Sequence, residues 1–341
     1  MSIGIQHIEY YLPAKVLTNE DFSSLGVDPV FMIEKVGISE RHIADEHESV
    51  CDMADAACRK LFVERRIDPT TIPLLILCTQ NPDYVLPTTA CVLQERIGMS
   101  TSSMCFDINL GCSGYVYAVG LATSLMNQFG YSCALIVTTE AYSKVISYED
   151  KTTATLFSDG AAATYLAKDY GHCRVGDFDF GTDGRGHKNL IVPVSGSRTK
   201  RTFATSKMVE YGRGICRSEE NLFMDGQEIT KFVFREVPKS VNALLARNHV
   251  DLNFFDKFIF HQANKYILEA VAKRMNIPTE KMYIDLKIGN TVSSTLPIAL
   301  KRHYGEDHVV GDRNVLLSGF GVGYSWGSMT IQIDDNFGAQ L

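Results

Sequence analysis

Cys112 stands in the run FDINLGCSGYVYA, between an apolar strand-like stretch and a stretch that is apolar all round, with Gly111 and Gly114 close on either side. Glycines so placed permit a sharp strand-to-helix turn and a close backbone approach. A thiol at such a turn meets unpaired N–H groups and the positive end of the helix dipole, which favour the nucleophilic thiolate. The plain alternative, for any of the nine cysteines, is a small buried hydrophobe. Only Cys112 combines turn glycines with a helix start. His261 directly follows an apolar run in FIFHQAN, and Asn290 occupies the turn in IGNTVSSTLP, one strand later. Strand-end loops are where an α/β sheet exposes side chains to a ligand crevice. Taken singly, His261 reads as a hydrogen-bonded structural histidine and Asn290 as a helix cap. If two similar halves pack about a pseudo-twofold, these loops can converge, and the triple carries more weight than any single member.

Two further motifs mimic chemistry that their surroundings do not support. GYSWG, at 323–327, matches the serine-hydrolase elbow, which requires a helix after the serine and a later acid and histidine. Strand-like alternation follows Ser325 instead, and no histidine comes after it. GFGVG (319–323) looks like a dinucleotide loop but lies near the C-terminus with no βαβ unit behind it. Its glycines suit a loop that brings backbone N–H groups against a ligand oxygen. Neither CxxC nor HExxH occurs, so no metal site is expected.

The elements that must position these residues alternate as in an α/β protein. Strands are expected at 74–80, 102–110, 133–140 and beyond the turn that begins SDG (158–167). Helices are expected at 88–96 and 113–126. The order recurs in the second half, with strand then loop at 255–264, strands at 281–286, 314–321 and 325–333, and helices at 266–275 and 293–303. Strand–helix–strand–helix–strand–strand therefore occurs twice, dividing the chain into halves at 1–170 and 171–341. Residues 171–217, rich in Gly, Ser, Thr, Arg and Lys, read as one long functional loop. Cys112 and Asn290 then occupy equivalent turns in opposite halves, and His261 comes one strand before Asn290.

Composition narrows the class. The 341 residues are 45% hydrophobic and 21% charged, with a formal net charge of −7. That argues for a folded globular protein and against a nucleic-acid binder, which needs a basic stripe. No apolar run approaches 18 residues, so no membrane span is expected, and the N-terminal MSIGIQHIEYYLP does not read as a secretory signal. Nine scattered cysteines suit reduced thiols in a cytoplasmic setting.

The segments YYLPAKVLTNEDF, VGISERHIA, INLGCSGYVYA, LFSDGAAA, HQAN, GNTVSST and GFGVGYSWGS follow one another through nearly the whole chain. In this order they resemble the β-ketoacyl-acyl carrier protein synthase III family, condensing enzymes of the thiolase superfamily. The resemblance implies a thiolase-like five-layered αβαβα fold of two duplicated halves, a homodimer, and a Cys112–His261–Asn290 site whose oxyanion hole is the N–H groups of Cys112 and Val322. It implies an acyl-CoA donor, with no cofactor beyond the CoA thioester substrate, and malonyl-acyl carrier protein as the second substrate. The product would be a β-ketoacyl thioester, in fatty acid initiation or in a specialised lipid or secondary-metabolite pathway. Asn264 matches the family's CoA site and Phe157 its acyl pocket. Lys231, Lys273 and Arg274 match a basic surface for the acidic carrier protein.

Departures from the family pattern bear on substrate. Phe31, Lys35 and Lys151 stand where a tryptophan and two arginines usually clamp CoA, and lysine lacks the planar fork of arginine. Leu86 stands where a phenylalanine usually reaches the partner's acyl pocket, and Val322 where glycine is usual. These changes keep a second activity open, non-decarboxylating acyl transfer from the same cysteine to another nucleophile. A non-catalytic scaffold is disfavoured because Cys112, His261 and Asn290 are all present.

Overall fold

The computed structural model describes residues 2–341. Its first half runs β1 (Ile3–Tyr11), α1 (Val50–Arg65), β2 (Leu74–Cys78), α2 (Thr89–Arg96), β3 (Met104–Ile108), α3 (Gly114–Phe129), β4 (Cys133–Glu140) and β5 (Gly160–Lys168). The second repeats that order: β6 (Cys173–Thr182), α4 (Gly226–Asn248), β7 (Lys257–Phe260), α5 (Lys265–Met275), β8 (Met282–Tyr283), α6 (Thr295–Leu300), β9 (Asn314–Gly321) and β10 (Ser325–Ile333). The strands lie in the order β8-β7-β9-β10-β6-β1-β5-β4-β2-β3. Each strand of one half therefore has its counterpart at the same distance from the β6–β1 junction. At that junction Gly4 pairs with Arg174. A Cβ on Gly4 would fall 2.0 Å from the Cys173 carbonyl oxygen, so the halves approach this closely only around glycine.

Strand periodicity builds the layers. In β2, Leu74 and Ile76 face a central cluster, while Leu75 and Leu77 face the other way. Alternate side chains of a strand point to opposite faces, so a strand covered on both sides must be apolar throughout. The central cluster also holds Val116 and Val119 of α3, Leu296 and Ala299 of α6, and Leu317 and Met329 from β9 and β10. Helices α3 and α6 are thus buried between two half-sheets, which is why α3 is apolar on every side. Leu75, Leu77, Leu135 and Val137 pack under α1 and α2, and Phe258, Phe260 and Leu316 pack under α4 and α5. The result is five layers, α, β, α, β, α. Each fully buried leucine, isoleucine or phenylalanine contributes about 1.5–3 kcal/mol relative to an exposed one.

Several elements differ from the sequence expectation. The repeated frame has eight elements in each half rather than six, because β1, α1, β6 and α4 carry no strong pattern of their own. Helix α1 begins at a capping box of Ser49 with Asp52, and α4 at Asp225, whose carboxylate accepts from the N–H groups of Gln227 and Glu228. Residues 171–217 are not one loop, since β6 occupies the middle of the sheet between β1 and β10. Its polar residues disguise it. Asp179 accepts from Ser240 Oγ of α4 at 2.7 Å, so a helix partners the residue that made the strand look exposed. The rest of the segment carries two-residue strands, Leu190–Ile191 paired with Phe223–Met224 and Val209–Glu210 paired with Cys216–Arg217. Strand β8 is two residues long, and the expected helix 293–303 is a 3₁₀ turn (Val292–Ser294), α6, and a π turn (Lys301–Glu306). Among the described residues no helix is long and apolar enough to cross a membrane, and all nine cysteines are free thiols.

Candidate active site

The turn between β3 and α3 holds Cys112, which is 6% exposed. The N–H of Gly114 donates to the Gly111 carbonyl at 2.7 Å and closes the turn. A Cβ on Gly114 would lie 2.2 Å from Cys78 Sγ, and one on Gly111 2.4 Å from Gln80 Oε1, so a side chain at either position would displace these neighbours. The end of β9 presses on the turn from the other half. A Cβ on Gly319 would fall 2.5 Å from the Cys112 carbonyl oxygen, and one on Gly321 2.9 Å from Cys112 Cβ and 3.0 Å from its Sγ. The two halves therefore meet at the nucleophile with bare backbone.

Ser325, the serine of the false hydrolase motif, holds this junction together. Its hydroxyl donates to the Val322 carbonyl at 2.9 Å and lies 2.7 Å from Ser113 Oγ. Its only proton being committed, Ser325 accepts from Ser113. Val322 is thereby tied to the turn of Cys112, and its side chain packs against the same apolar cluster.

His261 follows β7, its N–H donating to the Ser318 carbonyl at 2.8 Å. Its Nδ1 lies 2.7 Å from Thr295 Oγ1, and the ring stands edge-on to Phe320. Asn290 Oδ1 accepts from the Val292 N–H at 2.8 Å, which leaves Nδ2 as the free donor, 3.5 Å from His261 Nε2. Cys112, His261 and Asn290 line one cavity of about 120 Å3, together with Phe157 and Asn264. Phe157 is tilted against the buried Tyr142 ring, 4.9 Å between centroids. Asn264 also caps α5 by accepting from the Ile267 N–H at 2.9 Å.

Burial governs the charges. It lowers the His261 pKa to about 3, so the imidazole is neutral. It raises the Cys112 thiol well above its ordinary value, with a smaller push from Glu140. The resting thiolate expected from the helix start is thus corrected to a thiol. A helix dipole contributes roughly 0.3–1 kcal/mol and at most about 2, whereas full burial can shift an ionisable group by about 3–5 pKa units. Glu140, which accepts from the Gln80 N–H and the Ser293 hydroxyl, both at 3.1 Å, is itself pushed up to about 8 by burial. Near neutral pH it is mostly protonated and adds little negative charge beside Cys112.

The remaining predicted residues lie away from this cavity. Phe31 is 55% exposed and Lys35 is exposed. Lys151 is half-buried, its ammonium donating to the Leu25 carbonyl at 3.3 Å and its N–H to the Gly214 carbonyl at 3.1 Å. Leu86 is 80% exposed, next to exposed Tyr84 and Val85. Lys231, Lys273 and Arg274 are on the surface, with Lys231 paired to Glu228 at 2.6 Å. Sequence reasoning passed over Thr295, although it stands within the GNTVSST segment. It also passed over the Tyr142 hydroxyl, which donates to Gln80 Oε1 at 2.7 Å beside the Cys112 turn. The hairpin at Val209–Arg217 that packs on Lys151 was invisible inside a presumed loop. Among the described residues no three His, Cys, Asp or Glu side chains converge to hold a metal.

Comparison with known proteins gives concordant matches. The model for 3-oxoacyl-[acyl-carrier-protein] synthase III matches residues 106–184, and the model for its C-terminal part matches residues 245–333. A β-ketoacyl-[acyl-carrier-protein] synthase III of Caldanaerobacter subterraneus is 32% identical over 335 residues, covering 97% of this chain and 98% of its own. A crystal structure of a 3-oxoacyl-(acyl-carrier-protein) synthase III is 40% identical with a TM-score of 0.93, covering 98% of this chain and all of its own. The structure of a 3-oxoacyl-(acyl-carrier protein) synthase from Burkholderia xenovorans is 32% identical with a TM-score of 0.87, over 98% of this chain and 95% of its own.

Proposed function

The chain belongs to the β-ketoacyl-acyl carrier protein synthase III family of condensing acyltransferases, and from that premise we propose that Cys112 takes an acyl group from acyl-CoA and passes it to the carbanion of malonyl-acyl carrier protein. The observation that carries this reading is the convergence of Cys112, His261 and Asn290 on one cavity from opposite halves of the chain. Cys112 Sγ bonds to the thioester carbonyl carbon, and the carbonyl oxyanion rests on the N–H groups of Cys112 and Val322. When the oxyanion collapses, the C–S bond to CoA breaks. The proton lost by Cys112 leaves on the CoA sulfur. The neutral resting thiol is consistent with an attack that completes only as the acyl group arrives.

In the second half-reaction the malonyl C–C bond breaks to release CO2, and its electron pair forms an enolate. Two neutral donors, His261 Nε2–H and Asn290 Nδ2–H, hold the enolate oxygen. The carbon then attacks the acyl-cysteine carbonyl. Cys112 Sγ leaves with the bonding pair and regains a proton from solvent, so one proton is consumed overall. No redox or metal cofactor takes part in this scheme, and CoA enters as part of the substrate.

Phe31, Lys35 and Asn264 would bind the CoA moiety, with Lys151 supporting the entrance through the hairpin that packs on it. Exposed Leu86, with Tyr84 and Val85, suits a homodimer contact that carries Leu86 to the acyl pocket beside Phe157 of the second copy. Lys231, Lys273 and Arg274 would meet the acidic carrier protein in a cytoplasmic setting. The departures at Phe31, Lys35, Lys151 and Val322 favour a second reading, acyl transfer without decarboxylation. Intact-mass analysis after acyl-CoA treatment tests the central step. A single thioester adduct, lost in Cys112→Ser, is expected, and an adduct on any other cysteine refutes the assignment. Asn290→Ala should still acylate while condensation falls ~10²-fold or more. Retained condensation would remove Asn290 from the site, whereas acylation with no condensation even in wild type would favour the second reading.

A further inference from the structure

A donor role for His261 requires its proton on Nε2, and the residue that decides this is outside the catalytic triple. Thr295 Oγ1 lies 2.7 Å from His261 Nδ1, and both side chains are buried. A hydroxyl has one proton and can either donate to Nδ1 or accept from it. It is also placed to donate to the Val292 carbonyl, at 3.1 Å the longer of its two contacts. That carbonyl already accepts the Thr295 backbone N–H, so the hydroxyl can turn to the histidine without orphaning it. Asn290 points to the same answer. Its Oδ1 is held by the Val292 N–H, so the group facing His261 Nε2 is an NH2. Their separation, 3.5 Å, is longer than the 2.7–3.2 Å of an ordinary N–H hydrogen bond. A bare Nε2 would draw that NH2 closer, whereas two donors side by side stand apart and can straddle one oxygen atom.

We propose that Thr295 is a positioning residue whose hydroxyl donates to His261 Nδ1 and so holds the imidazole as the tautomer with its proton on Nε2. Resting on the two-donor reading above, this makes Thr295 the origin of the second enolate donor. With the hydroxyl removed, Nδ1 loses its partner and the preference for the productive tautomer goes with it. Acylation does not use the Nε2 proton and should be spared.

Nitrogen NMR of the 15N-histidine-labelled protein reads the tautomer directly, with the His261 signals assigned by their loss in His261→Asn. A protonated Nε2 and a bare, hydrogen-bonded Nδ1 are expected; a proton on Nδ1 overturns the proposal. In kinetics, Thr295→Val, which keeps shape and loses only the hydroxyl, should lower condensation from preformed acyl-Cys112 by ~10²-fold, the effect of removing one oxyanion donor. Its acylation rate should stay within ~3-fold of wild type, and Thr295→Ser should restore condensation to within the same margin. Equal losses in Thr295→Val and Thr295→Ser would mean packing alone, and a matching loss of acylation would also overturn the assignment. If wild-type protein takes no acyl group on Cys112, the functional reading fails, while the NMR result still decides the tautomer.

Discussion

A methyl group on Gly321 is the smallest change that tests whether the second half positions the nucleophile. It would stand 2.9 Å from Cys112 Cβ and 3.0 Å from Sγ, against about 3.5–4.0 Å for atoms at their optimal separation. The thiol must therefore yield by about 0.5–1 Å. The one open direction is the cavity that Cys112 lines, so the thiol yields by moving off its reacting position. A displacement of about 1 Å at a reacting atom costs about 10²-fold, so Gly321→Ala should lower the acylation rate by ~10- to 10²-fold. Overpacking of this kind costs about 1–3 kcal/mol of stability, which leaves a folded protein to assay. The rate is read by quenching the acyl-CoA reaction at intervals and weighing the intact protein, with denaturant unfolding in parallel. Gly171→Ala, where a Cβ meets nothing within 4 Å, is the control and should match wild type in both. Wild-type acylation in Gly321→Ala at unchanged stability would refute the claim that bare backbone in β9 holds Cys112 in place.

Three further outcomes follow from the charges and the surface. Because Cys112 is raised above its ordinary value and His261 is neutral down to about pH 3, alkylation of Cys112 by iodoacetamide should keep rising past pH 9. A plateau below pH 7 would indicate a thiolate–imidazolium pair instead. Glu140 is raised to about 8 in the fold from an ordinary 4.5, so it binds a proton more tightly folded than unfolded. Its relative stabilisation is therefore complete below about pH 4.5 and is lost as pH climbs to 8. Wild type should lose stability relative to Glu140→Gln across that window in urea titrations, and parallel curves would contradict the shift. At the CoA entrance, Phe31→Trp with Lys35→Arg should lower the apparent KM for acyl-CoA by ~10-fold if about 1.4 kcal/mol of stacking and forked hydrogen bonding is restored. An unchanged KM at low and high salt would mean that these residues do not clamp CoA in this protein.

Much of the plan was legible because it is written in local periodicity. Strands β2 and β4 are covered on both faces and so appear as unbroken apolar runs. Helix α3 lies between two half-sheets and so is apolar all round. Gly111 and Gly114 marked the turn of Cys112, where a Cβ would press on Gln80 and Cys78. His261 and Asn290 stood at strand ends, and the order of segments tied all three residues to one family. Strand β6 was hidden for the opposite reason: its Asp179 is partnered by Ser240 and Arg247 of α4, a helix some fifty residues away that itself blends polar and apolar positions.

What tertiary structure alone decided are quantities summed over residues distant in the chain. The charge state of Cys112 is one. Its helix start, visible locally, argues for thiolate, but desolvation grows with everything packed around the sulfur, including Val322 and Phe157 from elsewhere in the chain. The meaning of Ser325 is another, since its motif suggests a nucleophile and its contacts make it a strut between Val322 and Ser113. The role of Thr295 depends on a separation of 2.7 Å from a histidine on another element. Residue types and spacing determine which groups can react. Their protonation and aim are set by burial and by hydrogen bonds between separate elements of the chain, which exist only once those elements have packed.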